Sequence, residues 1–287
     1  MNWFLALASF VLTQSVEAQN STLTAQQPQA SLSLRQLDVG QGDAALLTTP
    51  DGRRILIDAG PDKNAVAAIL LNEGIDTLDL VVASHAHADH IGGMSEVFSA
   101  FVVRAYLDNG MPYTTATYAR TIASVENEAG MQYLQPTDRQ ITIGSLTIRV
   151  LPPPQVDHSQ NNNSVGLLVE YGRFRALYTG DSEQAELSQW LRDGRVSQVT
   201  LVKAAHHGSG NGVTSDWVAA TSPAIVLISV GSRNRYGHPS PEVERLWKAA
   251  NARVYRTDQV GQIEIKASRD GSFTVHTGAD SGIARDD

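Results

Sequence analysis

Leucine alternates with polar residues over positions 31–37 (Ser-Leu-Ser-Leu-Arg-Gln-Leu), the period of two of a half-buried β-strand. Residues 44–48 continue as strand, Asp51-Gly52 makes a hairpin, and residues 54–57 return. Residues 64–71 place their apolar positions on one helical face, closing near Gly74. The continuous apolar run 78–83 fits a strand covered on both sides. Beyond it the pattern predicts a helix at 94–101, a strand at 102–107 and a longer helix at 113–129 that ends at Gly130. A second block of strands follows at 140–143, 146–151, 164–171 and 175–178, with an irregular Pro/Asn-rich loop at 152–163. Helix 183–191, strands 199–204 and 224–230, helix 241–250 and alternating C-terminal strands complete the reading. Two sheets packed face to face, with helices outside, would bury this whole pattern. There is no internal repeat and no internal boundary, so residues 31–277 read as one domain. Residues 19–30 read as a flexible leader and 278–287 as a frayed tail.

Residues 1–18 differ from the rest. An apolar stretch at 3–12 is followed by Thr13-Gln14-Ser15 and then Val16-Glu17-Ala18, with small residues where a signal peptidase reads. The apolar core is too short to span a bilayer and suits a secretory signal, although no Lys or Arg precedes it. We expect cleavage after Ala18 and a secreted or periplasmic product, a retained anchor being the alternative. No later apolar run is long enough for a transmembrane helix, so the mature chain is expected to carry no membrane span. The chain of 287 residues has a formal charge of −8, which argues against clamping long duplex nucleic acid by bulk electrostatics. It contains no cysteine, which excludes thiolate nucleophiles and Cys metal ligands.

The densest chemistry is His85-Ala86-His87-Ala88-Asp89-His90, four ligand types in six residues between an apolar run and Gly92-Gly93. In an extended segment residues two apart point the same way, so His85 and His87 can share one ion. A turn into helix then aims Asp89 and His90 at a second. Imidazole and carboxylate are ligands expected of zinc, with manganese as the alternative. Other polar clusters at predicted strand ends are Asp58, Thr179-Gly180-Asp181, His206-His207 and Gly237-His238-Pro239. Open α/β sheets place ligands at such ends.

This set resembles the metallo-β-lactamase superfamily, whose αββα sandwich of two mixed sheets seats one or two metals. More narrowly, several motifs resemble the hydrolase domain of the ComEC family of DNA-uptake competence proteins. They are Asp38-Val39-Gly40-Gln41-Gly42-Asp43-Ala44, Leu56-Ile57-Asp58-Ala59-Gly60, Ser84 through Gly93, and Asn161-Asn162-Asn163-Ser164-Val165. Thr179-Gly180-Asp181, Lys203-Ala204-Ala205-His206-His207-Gly208-Ser209 and Asn234-Arg235-Tyr236-Gly237-His238-Pro239 complete them. Two departures stand out: no segment here could be that family's membrane channel, and Ser240 stands where a second His commonly follows Gly-His-Pro.

The resemblance implies two divalent ions, zinc in the first instance. It assigns His85 and His87 to the first site, Asp89 and His90 to the second, and Asp181 as the bridging carboxylate. His207 is the expected last ligand of the second site, with His206 as the fallback. His158 is the positional candidate for a third His at the first site, but its loop setting favours a solvated histidine. The first site then has water or an Asn such as Asn163 beside it. Asp58 is expected to accept the free N–H of a ligand imidazole, and Asp43 to be structural. Asp89, Asp181 and His238 are the expected reacting groups, with His238 touching substrate or protonating the leaving group. Tyr236, Lys203, Arg233 and Arg235 are candidates for meeting a substrate anion. A bridging Asp resembles the phosphodiesterase, glyoxalase and lactonase branches, so the expected reaction is metal-dependent hydrolysis of a small or short single-stranded phosphodiester. Hydrolysis of a lactone, carbon ester or β-lactam at the same site is the alternative, and a non-catalytic metal-binding module is a third reading.

Overall fold

The computed structural model describes residues 31–155 and 157–281. The expected signal peptide and leader, and residues 282–287 of the expected tail, lie outside the described residues. Two sheets carry the molecule. The larger runs, in spatial order, Phe273–Thr277, Ile263–Ala267, Leu32–Gln36, Ala45–Thr48, Arg54–Ile57, Leu80–Val82, Ala105–Leu107 and Gln132–Leu134. It is antiparallel through Arg54–Ile57 and parallel beyond. The second runs Arg253–Arg256, Ile225–Ile228, Leu201–Lys203, Phe174–Tyr178, Gly166–Tyr171, Leu146–Leu151 and Arg139–Ile143. Its first four strands are parallel and the rest antiparallel.

The inner faces meet in one apolar layer, with Leu34, Leu47, Ile55 and Val82 of the first sheet against Ile148, Val169, Ala176 and Leu227 of the second. The outer face of the first sheet (Leu46, Leu56, Val81) is covered by Val66 and Leu70 of helix Ala65–Asn72 and Val97 and Phe98 of helix Met94–Ala100. The outer face of the second (Leu168, Leu177, Val226) is covered by three buried tryptophans. These are Trp190, Trp217 and Trp247 of helices Gln184–Arg192, Ser215–Thr221 and Pro241–Ala249. Three apolar layers between four structural ones make the αββα sandwich.

Some elements depart from the sequence pattern. The run 78–83 divides at Asp79: Thr77–Leu78 pairs with Val102–Val103 in a separate ribbon, and Leu80–Val82 alone joins the main sheet. The run 102–107 bends at Arg104 opposite, and the Arg104 guanidinium lies 3.5 Å from the Asp79 carboxylate. Strands Gln132–Leu134 and Arg253–Arg256 and helix Ser215–Thr221 have no counterpart in the reading. The first two are parallel edge strands of three and four residues with mixed polarity, and the helix is only seven residues long. Gly278–Ser281, expected to fray, forms a short 3-10 turn in which the Asp280 carboxylate accepts from Thr277 N at 2.8 Å.

Within both sheets the parallel strands deliver their C-terminal ends to one edge. Asp58 follows Arg54–Ile57, Ser84 and His85 follow Leu80–Val82, Asp181 follows Phe174–Tyr178, and His206 and His207 follow Leu201–Lys203. That edge is where a site can assemble.

Candidate metal centre

Three loops meet there through their backbones. Asp43 N donates to Asp89 O (3.1 Å), Gly60 N to Asp43 O (2.8 Å) and Ala59 N to His90 O (2.7 Å). This approach explains the glycine pair after the histidine cluster. A Cβ on Gly93 would lie 2.5 Å from Ala59 O, and one on Gly92 would strike Pro61 O. The short helix Ala88–Ile91 begins inside the cluster, in keeping with the turn into helix at Asp89 and His90, and Gly92-Gly93 joins it to helix Met94–Ala100.

The imidazoles are oriented by groups behind them. Asp58 accepts from Ser84 N (2.7 Å), Ser84 Oγ (2.8 Å) and His90 Nδ1 (2.8 Å). Because the Ser84 hydroxyl donates to Asp58, it is left to accept from His85 Nδ1 at 3.1 Å. His207 Nδ1 donates to Ser229 O at 3.0 Å. Each network commits one ring nitrogen, leaving Nε2 of His90 and of His207 without a hydrogen bond and Nε2 of His85 facing His87.

The bare atoms converge. His90 Nε2 lies 3.2 Å from Asp181 Oδ1, and His207 Nε2 lies 3.4 Å from Asp181 Oδ2 and 3.3 Å from Asp89 Oδ2. His85 Nε2 is 3.0 Å from His87 Nδ1 and 4.0 Å from Asp181 Oδ2. Donors around one tetrahedral zinc, at about 2.0–2.1 Å each, sit about 3.3 Å from one another. His90 Nε2, His207 Nε2 and Asp181 Oδ1 are buried and make no hydrogen bond, a state that costs free energy unless something else binds them. Asp89, His90, Asp181 and His207 thus fit one divalent ion, with His85, His87 and the second oxygen of Asp181 as a thinner set beside it.

Charge is balanced tightly around these groups. Burial pushes the Asp181 carboxyl up, but His207 and His90 outweigh it and hold Asp181 well below the usual carboxylate range. Burial likewise opposes the ionisation of Asp89, but contact with His207 and the charge of His90 outweigh burial and lower its pKa. His90 and His207 are pushed up despite their burial, by Asp181 with Asp58 and by Asp181 with Asp43 respectively. His85 and His87 are pushed down, first by burial. Asp43, lowered to about 2 against its burial by Lys203 and His207, forms a buried ion pair with Lys203 beneath the cluster.

A family model described as beta-lactamase superfamily domain matches residues 53–219. The chain belongs to that superfamily. ComE operon protein 3 of Bacillus subtilis is 28% identical over 262 residues, covering 84% of this chain and 34% of its own length. Recombination protein 2 of Haemophilus influenzae is 27% identical over 243 residues, covering 82% and 29%. The chain therefore spans about a third of the length of these curated relatives, which bear out the resemblance to the ComEC family. Among solved structures, the metallo-β-lactamase fold protein YhfI of Bacillus subtilis aligns with a TM-score of 0.52 at 13% identity, over 78% of this chain and 95% of that one. Superfamily membership makes this a chain of a metal-dependent hydrolase family.

Set on the superfamily's fold, the expected residues divide. His85, His87, Asp89, His90, Asp181 and His207 come together as described. His206 and His207 are both left-handed (φ 50° and 52°), so their rings diverge. His207 turns into the cluster, and His206 turns to the rim. There its Nδ1 faces Asn211 (3.1 Å) and Glu183 (3.6 Å), and its Nε2 stands 3.9 Å from Asp181. His158 is exposed in its loop. One expectation is corrected. Lys203, proposed to meet a substrate anion, is buried against Asp43 on the underside, because all three residues of its strand are interior. Asn163, fully buried, donates through Nδ2 to Asp157 O (3.0 Å) and Ser159 O (2.7 Å) and braces its own loop, while its Oδ1 makes no hydrogen bond. Asn161, largely buried, borders the cleft instead, its Nδ2 meeting Glu183 at 3.2 Å and His206 Nε2 at 3.4 Å. A cleft of about 360 Å³ opens above, lined by His87, Asp89, His206 and His238, with Tyr113 and Tyr236 on its walls. The sequence reading gave no role to Tyr113, which lies in no motif, nor to Gln41 and Asn161, which it quoted within motifs without singling them out.

Proposed function

We propose that this chain is an exported metal-dependent phosphodiesterase that takes a small diester or a short single strand. The observation that carries the reading is Asp181, whose buried carboxylate meets both donor groups, with His90 3.2 Å from Oδ1 and with His207 and His85 3.4 and 4.0 Å from Oδ2. Two ions, zinc in the first instance, would be held by His85 and His87 and by Asp89, His90 and His207, with Asp181 shared between them. Two divalent ions there would lower the pKa of water to near 7 and stabilise charge on the substrate oxygens.

The chain's own groups supply the rest. Asp58 and Ser84 orient His85 and His90, and Ser229 orients His207. Asp89, partly open to the cleft and held ionised against its burial by His207 and His90, accepts a hydrogen bond that orients the attacking water. His238 at the opposite rim gives a proton to the departing oxygen. Burial, and then the neighbouring His206, lower its pKa, so it carries that proton only toward the acid side of the ordinary imidazole range. Resemblance to competence proteins favours a phosphodiester. The charge of −8 favours a small or single-stranded one, since counterion release needs many basic contacts.

The test is a substrate panel on the metal-loaded protein. Chelator-sensitive cleavage of a bis-aryl phosphodiester or single-stranded DNA is expected, lost in Asp181→Ala. Turnover of lactones or β-lactams with none of any phosphodiester would overturn the reading. The exported protein is expected to begin at Gln19 on N-terminal sequencing, and an intact Met1 would contradict cleavage after Ala18.

A further inference from the structure

One feature of the cleft is not used by hydrolysis itself. Tyr236 is 56% exposed, yet it is held in place. Its ring lies 5.8 Å from that of His238 and within 16° of parallel. The Arg235 guanidinium sits 5.4 Å from the ring centroid. On the far wall, the Tyr113 ring lies 5.6 Å from that of His87.

The loop beneath Tyr236 is fixed from within by Asn234. The Asn234 amide donates to Gly231 O and His238 O, both at 2.8 Å. Its carbonyl oxygen accepts from the backbone N of Tyr236 (3.2 Å) and of His238 (3.0 Å). Single exposed aromatics are ordinary on surfaces. A ring kept out of the core by a braced loop, parallel to an imidazole at the cleft rim and with an exposed guanidinium over it, is a stacking platform with much of its ordering cost already met. A second opening of about 420 Å³ leads away from Tyr236 past Arg233 and Arg235, which can meet a phosphate on the far side of a bound group.

We propose that Tyr236, backed by His238 and faced across the cleft by Tyr113, binds a nucleobase attached to the scissile phosphodiester. This rests on the phosphodiesterase reading and names its substrate as nucleotidic. Stacking on an aromatic side chain is worth enough to tighten binding about tenfold per base.

Equilibrium binding tests it without turnover, using the metal-loaded protein and three probes: thymidine 5′-monophosphate, 2-deoxyribose 5-phosphate and phenyl phosphate. The nucleotide is expected to bind about tenfold more tightly than the base-less sugar phosphate. Tyr236→Leu is expected to erase that gap and Tyr236→Phe to keep it, with circular dichroism confirming that both variants fold. Equal affinities in the parent protein, or a gap that survives in folded Tyr236→Leu, overturn the proposal. Phenyl phosphate binding as tightly as the nucleotide overturns the nucleobase in favour of any aryl ester. A preserved gap with no phosphodiester turned over defeats the catalytic reading and leaves the stacking site standing.

Discussion

The Asp58 carboxylate takes its three hydrogen bonds in a backbone conformation (φ 58°) that non-glycine residues seldom adopt, so its position is set by what it holds. It fixes His90 directly and His85 through Ser84. Asp58→Asn keeps the shape but cannot accept from His90 Nδ1 and both Ser84 groups at once. We expect the variant to remain folded and to lose metal affinity by about 10–100-fold. Competition with a chromophoric chelator measures this, and unchanged affinity would show that Asp58 is merely a turn residue. The sequence made this role readable, together with the ligand set at 85, 87, 89, 90 and 181, because many ligand types crowd short strand ends. It did not settle His206 against His207, since only the left-handed turn decides which ring points inward. Lys203 was misplaced for a related reason. Side-chain direction at the end of a three-residue strand leaves no periodic trace.

Helix Gln184–Arg192 follows Asp181 and clamps the Asn161–Asn163 turn through one buried acid. Glu186 has no exposed surface, and Ser164 N donates to its Oε2 at 3.3 Å. Burial pushes its carboxyl well above the ordinary value of 4.5, against the opposing contact with Ser182. The folded state therefore binds a proton that the unfolded state releases once pH exceeds about 4.5. Its contribution is complete below that pH and is lost as pH rises through the folded value. Glu186→Gln keeps a neutral group there at every pH. Its melting temperature should exceed the parent's at pH 8, and the difference should vanish near pH 4.5. Scans across that window check this, and a pH-independent difference would contradict it. At the same scale, the elements that sequence periodicity found are those long enough to repeat: the Leu32–Gln36 alternation, the paired strands Leu146–Leu151 and Gly166–Tyr171, and helix Pro241–Ala249. Arg253–Arg256, flanked by arginines, gains its strand character from its neighbour Ile225–Ile228 and not from its own composition.

Across the whole molecule, the sandwich closes four carboxylates (Asp43, Asp58, Asp89 and Asp181) into one edge of the space between its sheets. Lys203 offsets Asp43 there, and the site histidines are the other nearby source of positive charge. With a net charge of −8, the rest of the chain adds no general attraction to anions and disperses none of this local repulsion. Divalent ions at the edge would therefore bind the folded chain far better than the unfolded one, and occupancy becomes stability. An ion present at 100 times its dissociation constant adds about 2.7 kcal/mol. For a domain of this size each kcal/mol moves the melting temperature by about 2–4 °C. Chelation of the metal-loaded protein should therefore lower its melting temperature by about 5–10 °C. Readdition of zinc should restore it, and Asp181→Ala, which removes the shared carboxylate, should show a much smaller response to either. Calorimetric scans with and without chelator make the measurement. A melting temperature indifferent to both would mean that the two sheets hold their buried acids together without a metal, and that the bare nitrogens of His90 and His207 serve only as proton-bearing partners for Asp181.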